Sequence, residues 1–129
     1  MLKNLSENLS LSQIIEGNPV ATFVIDANHI VTHWNRACAV MTGVPAIEMI
    51  GKSDHDLFPR EVADQFASRD REVLTTGVTS EVEEVVPVDG AQRTYITLKF
   101  PIYDSDGSGH AVCGVATDIT ERKRSEAAL

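Results

Sequence analysis

The segment from Ser80 to Asp118 constrains the fold most, because its connections dictate how its β-rich runs pair. The first run, about 80 to 87, and the second, 92 to 101, flank Val88-Asp89-Gly90-Ala91. Asp-Gly at the centre of such a connection is the chemistry of a two-residue hairpin turn, whose backbone needs positive φ. A turn that short joins strands only in antiparallel fashion. A third run, 110 to 118, follows the looser "DSDGSG" and extends the same antiparallel set.

A second strand pair lies upstream. Residues 20 to 26 ("VATFVID") and 29 to 35 ("HIVTHWN") flank Ala27-Asn28, where Asn28 can take the turn conformation. The first run is apolar on both faces, with Val20, Thr22 and Val24 on one side and Ala21, Phe23 and Ile25 on the other. A strand of that kind needs a sheet covered on both sides.

The intervening residues, 35 to 77, read as helices. Asn35 can cap "RACAVMT", which Gly43 ends; "PAIEMIG" is a short turn or helix; "SDHDLFP" is a connector with Asp54 capping and Phe58 packed. The longest helix, 60 to 77, carries Val62, Phe66, Val73 and Leu74 as its apolar stripe and Gly77 as its stop. At the N-terminus, Leu2, Leu5 and Leu9 share one helical face. "SLSQ" has the form of a capping box opening a second short segment, with Leu11, Ile14 and Ile15 before Gly17 and Pro19.

The order predicts an α+β domain: a five-stranded antiparallel sheet with short helices on one face, an N-terminal amphipathic helix on the other and a C-terminal exit helix. The expected boundaries are a leader at 1–17, the domain at 18–118 and the exit helix at 119–129. A chain of 129 residues suits one core of this size.

Net charge narrows the partners. At −8 the chain lacks the clustered Lys and Arg that phosphate backbones require, and Arg122, Lys123 and Arg124 read as a solvated face, so no nucleic-acid partner is expected. No apolar run reaches the roughly 18 residues of a membrane span, and "MLKNLSENLS" lacks a signal-peptide core, so a cytoplasmic segment without membrane contact is expected. Cys38 and Cys113 show no CxxC spacing and read as buried small residues.

Five stretches, in order, then carry a resemblance: "WNRACAVMTG", "MIGKSDHDLFP", "DREVLTTG", "DGAQRTYITLKFPIYDSDG" and "GVATDITERKR". Over residues 10 to 124 the chain resembles the PAS sensory domain, or sensory box, of the type that leaves through an Asp-Ile-Thr motif. The resemblance implies a PAS fold and a sensory or regulatory module rather than an enzyme. Such domains sit upstream of histidine kinases of two-component systems, diguanylate cyclases or further PAS domains in bacterial signalling proteins. It also implies a small molecule held between sheet and helices, and homodimers formed through the leader, here Leu2, Leu5 and Leu9. The alternative is a ligand-free dimerisation or scaffolding module.

The residues name no cofactor. Haem is not expected, because no histidine lies on the 60–77 helix; His29, His33, His55 and His110 fall elsewhere. A covalent flavin is not expected either, since "GKSDHDLFP" has no cysteine, whereas a non-covalent small ligand is compatible with an apolar slot. "HDLFP" departs from a phosphoacceptor motif at Leu57 and Phe58. Glu83-Glu84 and Glu61, Asp64, Asp70 and Glu72 read as solvated faces, so no metal or catalytic group is indicated.

A ligand site would lie where the inner sheet face meets the short helices. On the central strand, Thr94, Ile96, Leu98 and Phe100 share one face and Arg93, Tyr95, Thr97 and Lys99 the other; the apolar set is expected to face the helices. The candidate pocket residues are then Phe23, Ile25, Met41, Ile50, Phe66, Ile96, Leu98 and Val115. In the tail, Asp118 with Glu121 three residues on has the form of a capping box, with Thr120 a competing cap. Asp118, Thr120 and Glu121 are therefore the expected relay from the sheet into a helix that continues toward an effector outside this sequence.

Overall fold

A computed structural model describes residues 10–88, 90–104, 106–107 and 109–129. Leu2, Leu5 and Leu9 lie outside the described residues. The elements run α1 (Leu11–Gly17), β1 (Ala21–Asp26), β2 (Val31–Trp34), α2 (Arg36–Thr42), α3 (Ala46–Met49), α4 (Asp54–Leu57), α5 (Arg60–Thr76), β3 (Ser80–Val88), β4 (Ala91–Tyr103), β5 (Gly109–Asp118) and α6 (Thr120–Ala128). All pairings in the five-stranded sheet are antiparallel, in the order β2-β1-β5-β4-β3. The last strand is therefore central, inserted between the first hairpin and the second.

Local chemistry sets the element ends. Ser10 Oγ accepts from Gln13 N–H and Gln13 Oε1 accepts from Ser10 N–H, the reciprocal capping box that starts α1. Gly90 takes φ 77° in the β3–β4 turn, a conformation costly for residues with a Cβ. In the β1–β2 turn it is His29, not Asn28, that takes positive φ (64°). Asp26 explains this: its Oδ1 accepts from both Asn28 N–H and Ile30 N–H and so organises the turn from its first residue.

Asn35 ties the leader to the core. Fully buried, its Oδ1 accepts from Thr22 N–H and Cys38 N–H at 3.0 Å each, capping α2, while Nδ2 donates to the carbonyls of Ile15, Asn18 and Val20. One side chain thus fixes the end of α1, the start of β1 and the start of α2.

The sheet is covered on both faces. On the inner face Ala21, Ile25, Val31, Trp34 and Ala116 pack with Cys38 of α2 and Met49 of α3. On the outer face Ile15 of α1 packs on Val24, Ala111 and Cys113, with Phe100 and Ile102 beside them.

Candidate ligand cavity and exit helix

Between the inner face and helices α2, α4 and α5 lies a cavity of about 70 Å³, measured as the space that the centre of a water-sized sphere can reach. Its apolar wall comes from Phe23 and Ile25 of β1, Val31 and Trp34 of β2, Met41 of α2, and Phe58 and Phe66. Phe58 meets Phe66 edge to face at 5.6 Å between centroids, and Phe23 lies 6.0 Å from Trp34. Trp34 is held by its indole N–H donating to the Val44 carbonyl at 2.9 Å. Gly114 makes room for the Phe23 ring, because a Cβ there would stand inside contact distance of it.

The cavity's other wall is charged. Lys99 of β4 is only 2% exposed, and its Nζ lies 3.0 Å from Asp70 Oδ1 of α5, itself 1% exposed, and 4.0 Å from Glu84 Oε1 of β3. Arg69 Nη1 also donates to Glu84 Oε1 at 2.9 Å. The Lys99–Asp70 contact meets the distance of an ion pair but not the angles of a hydrogen bond, and Asp70 accepts none among the described residues. We read it as charge neutralisation, which keeps two buried charges tolerable. The Lys99 ammonium also sits 5.1 Å from the Phe66 ring centroid.

Two polar groups on the cavity wall are left without partners. Tyr95 is 4% exposed and its hydroxyl has no hydrogen bond among the described residues. Asp54, 9% exposed, accepts no hydrogen bond on its carboxyl among the described residues, and burial, followed by the charge of Asp70, pushes its pKa up to about 6 despite Lys99. Asp54 does not cap its helix. The carboxylate that accepts from Ser53 N–H is that of Asp56, at 2.9 Å, and Asp54 lines the cavity. Among the described residues, no group of three His, Cys, Asp or Glu side chains is placed to hold a metal ion.

Of the candidate pocket residues, the cavity brings together Phe23, Ile25, Met41 and Phe66. Three others are corrected by the facing of β4. Tyr95, Thr97 and Lys99 are buried toward the helices, so Ile96 and Leu98 lie on the outer face, as does Val115, which pairs with Leu98. Ile50, beyond the end of α3, is half-exposed and off the cavity. The carboxylates also need correcting, since Asp70 and Glu84 are buried and paired rather than solvated. Asp70 follows Phe66 by four residues and Ala63 by seven, which places it on the buried face of α5; that spacing was the available signal.

The exit from the sheet is locked to β4. Asp118 Oδ2 accepts from Arg93 Nη2 at 2.6 Å and Nε at 3.0 Å, and Oδ1 accepts from Thr120 N–H at 2.9 Å. Burial raises the Asp118 pKa, but the hydrogen bonds from Thr120 and Arg93 outweigh it and hold the carboxyl below its ordinary range. Thr120 Oγ1 accepts from Thr94 N–H, and Ile119 N–H donates to the Thr94 carbonyl, both at 2.9 Å. Glu121 is corrected: it does not complete a capping box but pairs with Arg124 at 3.1 Å on the exposed side of α6.

The family model described as "PAS fold" matches residues 15–124. The chain belongs to the PAS family. Its relatives are signalling proteins: this PAS domain is 28% identical over 120 residues to the aerobic respiration control sensor protein ArcB of Escherichia coli, covering 92% of this chain and 15% of ArcB. It is also 28% identical over 131 residues to the cyclic di-GMP phosphodiesterase PdeR of Escherichia coli, covering 98% of this chain and 20% of PdeR. The chain thus spans a fifth or less of these relatives. Among solved structures, a complex of Vibrio cholerae VqmA with ligand and DNA superposes with a TM-score of 0.75 at 28% identity, over 88% of this chain and 52% of that one.

That neighbour corrects the expectation about nucleic acid. A PAS domain of this shape occurs in a protein bound to DNA, so the net charge of the PAS segment cannot exclude nucleic acid as a partner. Charge counts what this segment's own surface offers; it is silent on what is attached to it. No helix among the described residues is long and apolar enough to cross a membrane.

Proposed function

We propose that this PAS domain senses a small molecule held in the cavity and relays its presence through β4 and β5 into α6, toward a kinase or cyclase. In this reading residues 18–118 are the sensing unit, residues 119–129 the transmission element, and the chain itself carries no catalytic step. One observation carries it: Tyr95, whose unpartnered hydroxyl lines the cavity, is in direct register with Asp118, where the sheet hands over to the exit helix. Its strand neighbours Arg93 and Thr94 hold Asp118, Ile119 and Thr120. A ligand that draws Tyr95 toward the cavity pulls on the segment that anchors α6. The similarity to VqmA, solved in complex with a ligand, supports ligand binding, and the similarity to ArcB, a sensor protein, supports the relay.

The test compares the purified chain's mass under native and denaturing conditions, alongside a thermal-shift screen against a metabolite panel. A retained small molecule, or a Tm rise of several degrees that Ala116→Phe abolishes by filling the cavity, is expected; neither occurring with any compound would sink the sensing role. For the relay, ligand should shift the amide resonances of α6, and Asp118→Ala should remove that response while leaving binding intact. If the α6 resonances of Asp118→Ala still respond as in the parent, the relay is wrong.

A further inference from the structure

We infer that the ligand of this cavity is a small monocationic amine with no carboxylate or phosphate, whose nitrogen is received by Asp54. The inference rests on the proposal that the cavity binds a ligand and adds its chemical class.

Charge pairing carries it. Asp54 of α4, Glu84 of β3 and Lys99 of β4 line the cavity, and Arg69 and Asp70 of α5 stand behind them, paired with Glu84 and Lys99. Both cations are already engaged, Lys99 with Asp70 at 3.0 Å and with Glu84 at 4.0 Å, and Arg69 with Glu84 at 2.9 Å. His55, the remaining group near Asp54, gives its Nε2 to the exposed Asp64 at 2.7 Å. Asp54 is left, among the described residues, as the carboxyl with no ion pair and no donor, on the wall of the cavity, with Lys99 and His55 acting on it only at longer range. A buried carboxylate in that position is costly until a donor or a positive charge reaches it, and an anionic ligand would add to the surplus.

The other walls agree with that class. The Phe58–Phe66 edge-to-face pair, with Trp34 and Phe23 beyond, offers aromatic surface to a ring, and the Tyr95 hydroxyl supplies a second polar contact on the same cavity. The volume of about 70 Å³ holds on the order of five waters, so the cavity, which is partly open to solvent, encloses the polar end of a ligand of up to roughly ten non-hydrogen atoms rather than the whole of it.

Three probes of matched size test it: benzylamine, benzyl alcohol and benzoate, titrated into the 129-residue chain and followed by the amide resonances of the cavity residues. At pH 7.5 benzylamine should bind at least about tenfold more tightly than benzoate. Its affinity should fall about tenfold at pH 5.0, as Asp54 takes up a proton around pH 6 among Asp70, Arg69, Glu84, Lys99 and His55. Asp54→Asn should lose about tenfold for benzylamine and stay within about twofold for benzyl alcohol. Benzoate binding as tightly as benzylamine, or an unchanged benzylamine affinity in Asp54→Asn, overturns the assignment of class while leaving the cavity a ligand site. Failure of benzylamine to perturb the cavity resonances also overturns the class, and the cavity falls as a ligand site only if the metabolite panel and the native mass are negative as well.

Discussion

Asp54→Asn isolates the energetic cost of a carboxylate in the cavity wall. Burial lifts the Asp54 pKa from 3.8 to about 6, so the folded chain holds this proton more tightly than the unfolded chain does. Protonation therefore favours folding. The penalty is absent below the unfolded value, grows as pH rises between the two values and is complete above the folded one. Roughly two units correspond to about 3 kcal/mol. Asparagine keeps the shape and removes the charge, so at pH 8 the variant should be more stable than the parent. Removing a negative charge from the first turn of α4 subtracts about 0.5 kcal/mol, which leaves a net gain of about 2 to 3 kcal/mol.

For a domain of this length that gain is a rise of roughly 10 °C in Tm. Urea and thermal denaturation at pH 8 and at pH 3.5 would measure it. The other carboxyls titrate in both proteins and largely cancel in the difference. A gain at pH 8 that vanishes at pH 3.5 is expected. An Asp54→Asn variant no more stable than the parent at pH 8 would refute the reasoning; a gain equal at both pH values would trace it to packing instead. A domain that keeps a destabilising charge on its cavity wall resembles other sites where function is maintained against stability.

Three further perturbations address the scaffold. Asn35→Asp sets a carboxylate oxygen against the carbonyls of Ile15, Asn18 and Val20, and should cost about 3 kcal/mol or more in urea denaturation at pH 8. The loss should shrink at pH 4, where the introduced acid is protonated and donates again. Lys99→Met leaves Asp70 without a cation, while Glu84 keeps Arg69, and should cost about 3 to 5 kcal/mol, much of it recovered in Lys99→Met/Asp70→Asn; a double variant no better than the single would mean the pair is not coupled. Gly114→Ala drives the Phe23 ring toward the cavity and should cost about 1 to 3 kcal/mol, with a change in Trp34 fluorescence because the two rings are neighbours.

How far the fold was legible depends on whether a feature is fixed locally. The β3–β4 turn at Gly90 and the Ser10–Gln13 capping box are fixed by residues a few positions apart, so residue type suffices to place them. The insertion of β5 between β1 and β4 joins residues far apart in the chain, and no turn signal encodes it. The facing of β4 is the instructive failure. Its two faces differ in kind: Ile96, Leu98 and Phe100 are apolar, whereas Tyr95, Thr97 and Lys99 combine apolar bulk with polar ends. Apolarity favours burying the first set, yet that rule assumes only one face is covered, and here α1 and the outer face also pack together at Ile15. What decides the matter is charge on facing elements. Asp70 lies on the buried face of α5, and Glu84 lies between Val82 and Val86 on β3 and in register with Tyr95.

Had β4 turned its apolar face inward, Lys99 would point away from α5, and Asp70 would remain in the core without a countercharge. A lone buried charge costs several kcal/mol. The observed facing neutralises Asp70 while the outer face still gains cover from α1. It has a consequence for the site. The same choice that brings Lys99 to Asp70 places Tyr95 on the cavity and in register with Asp118, so the ion pair that fixes the strand also aligns the cavity with the exit helix.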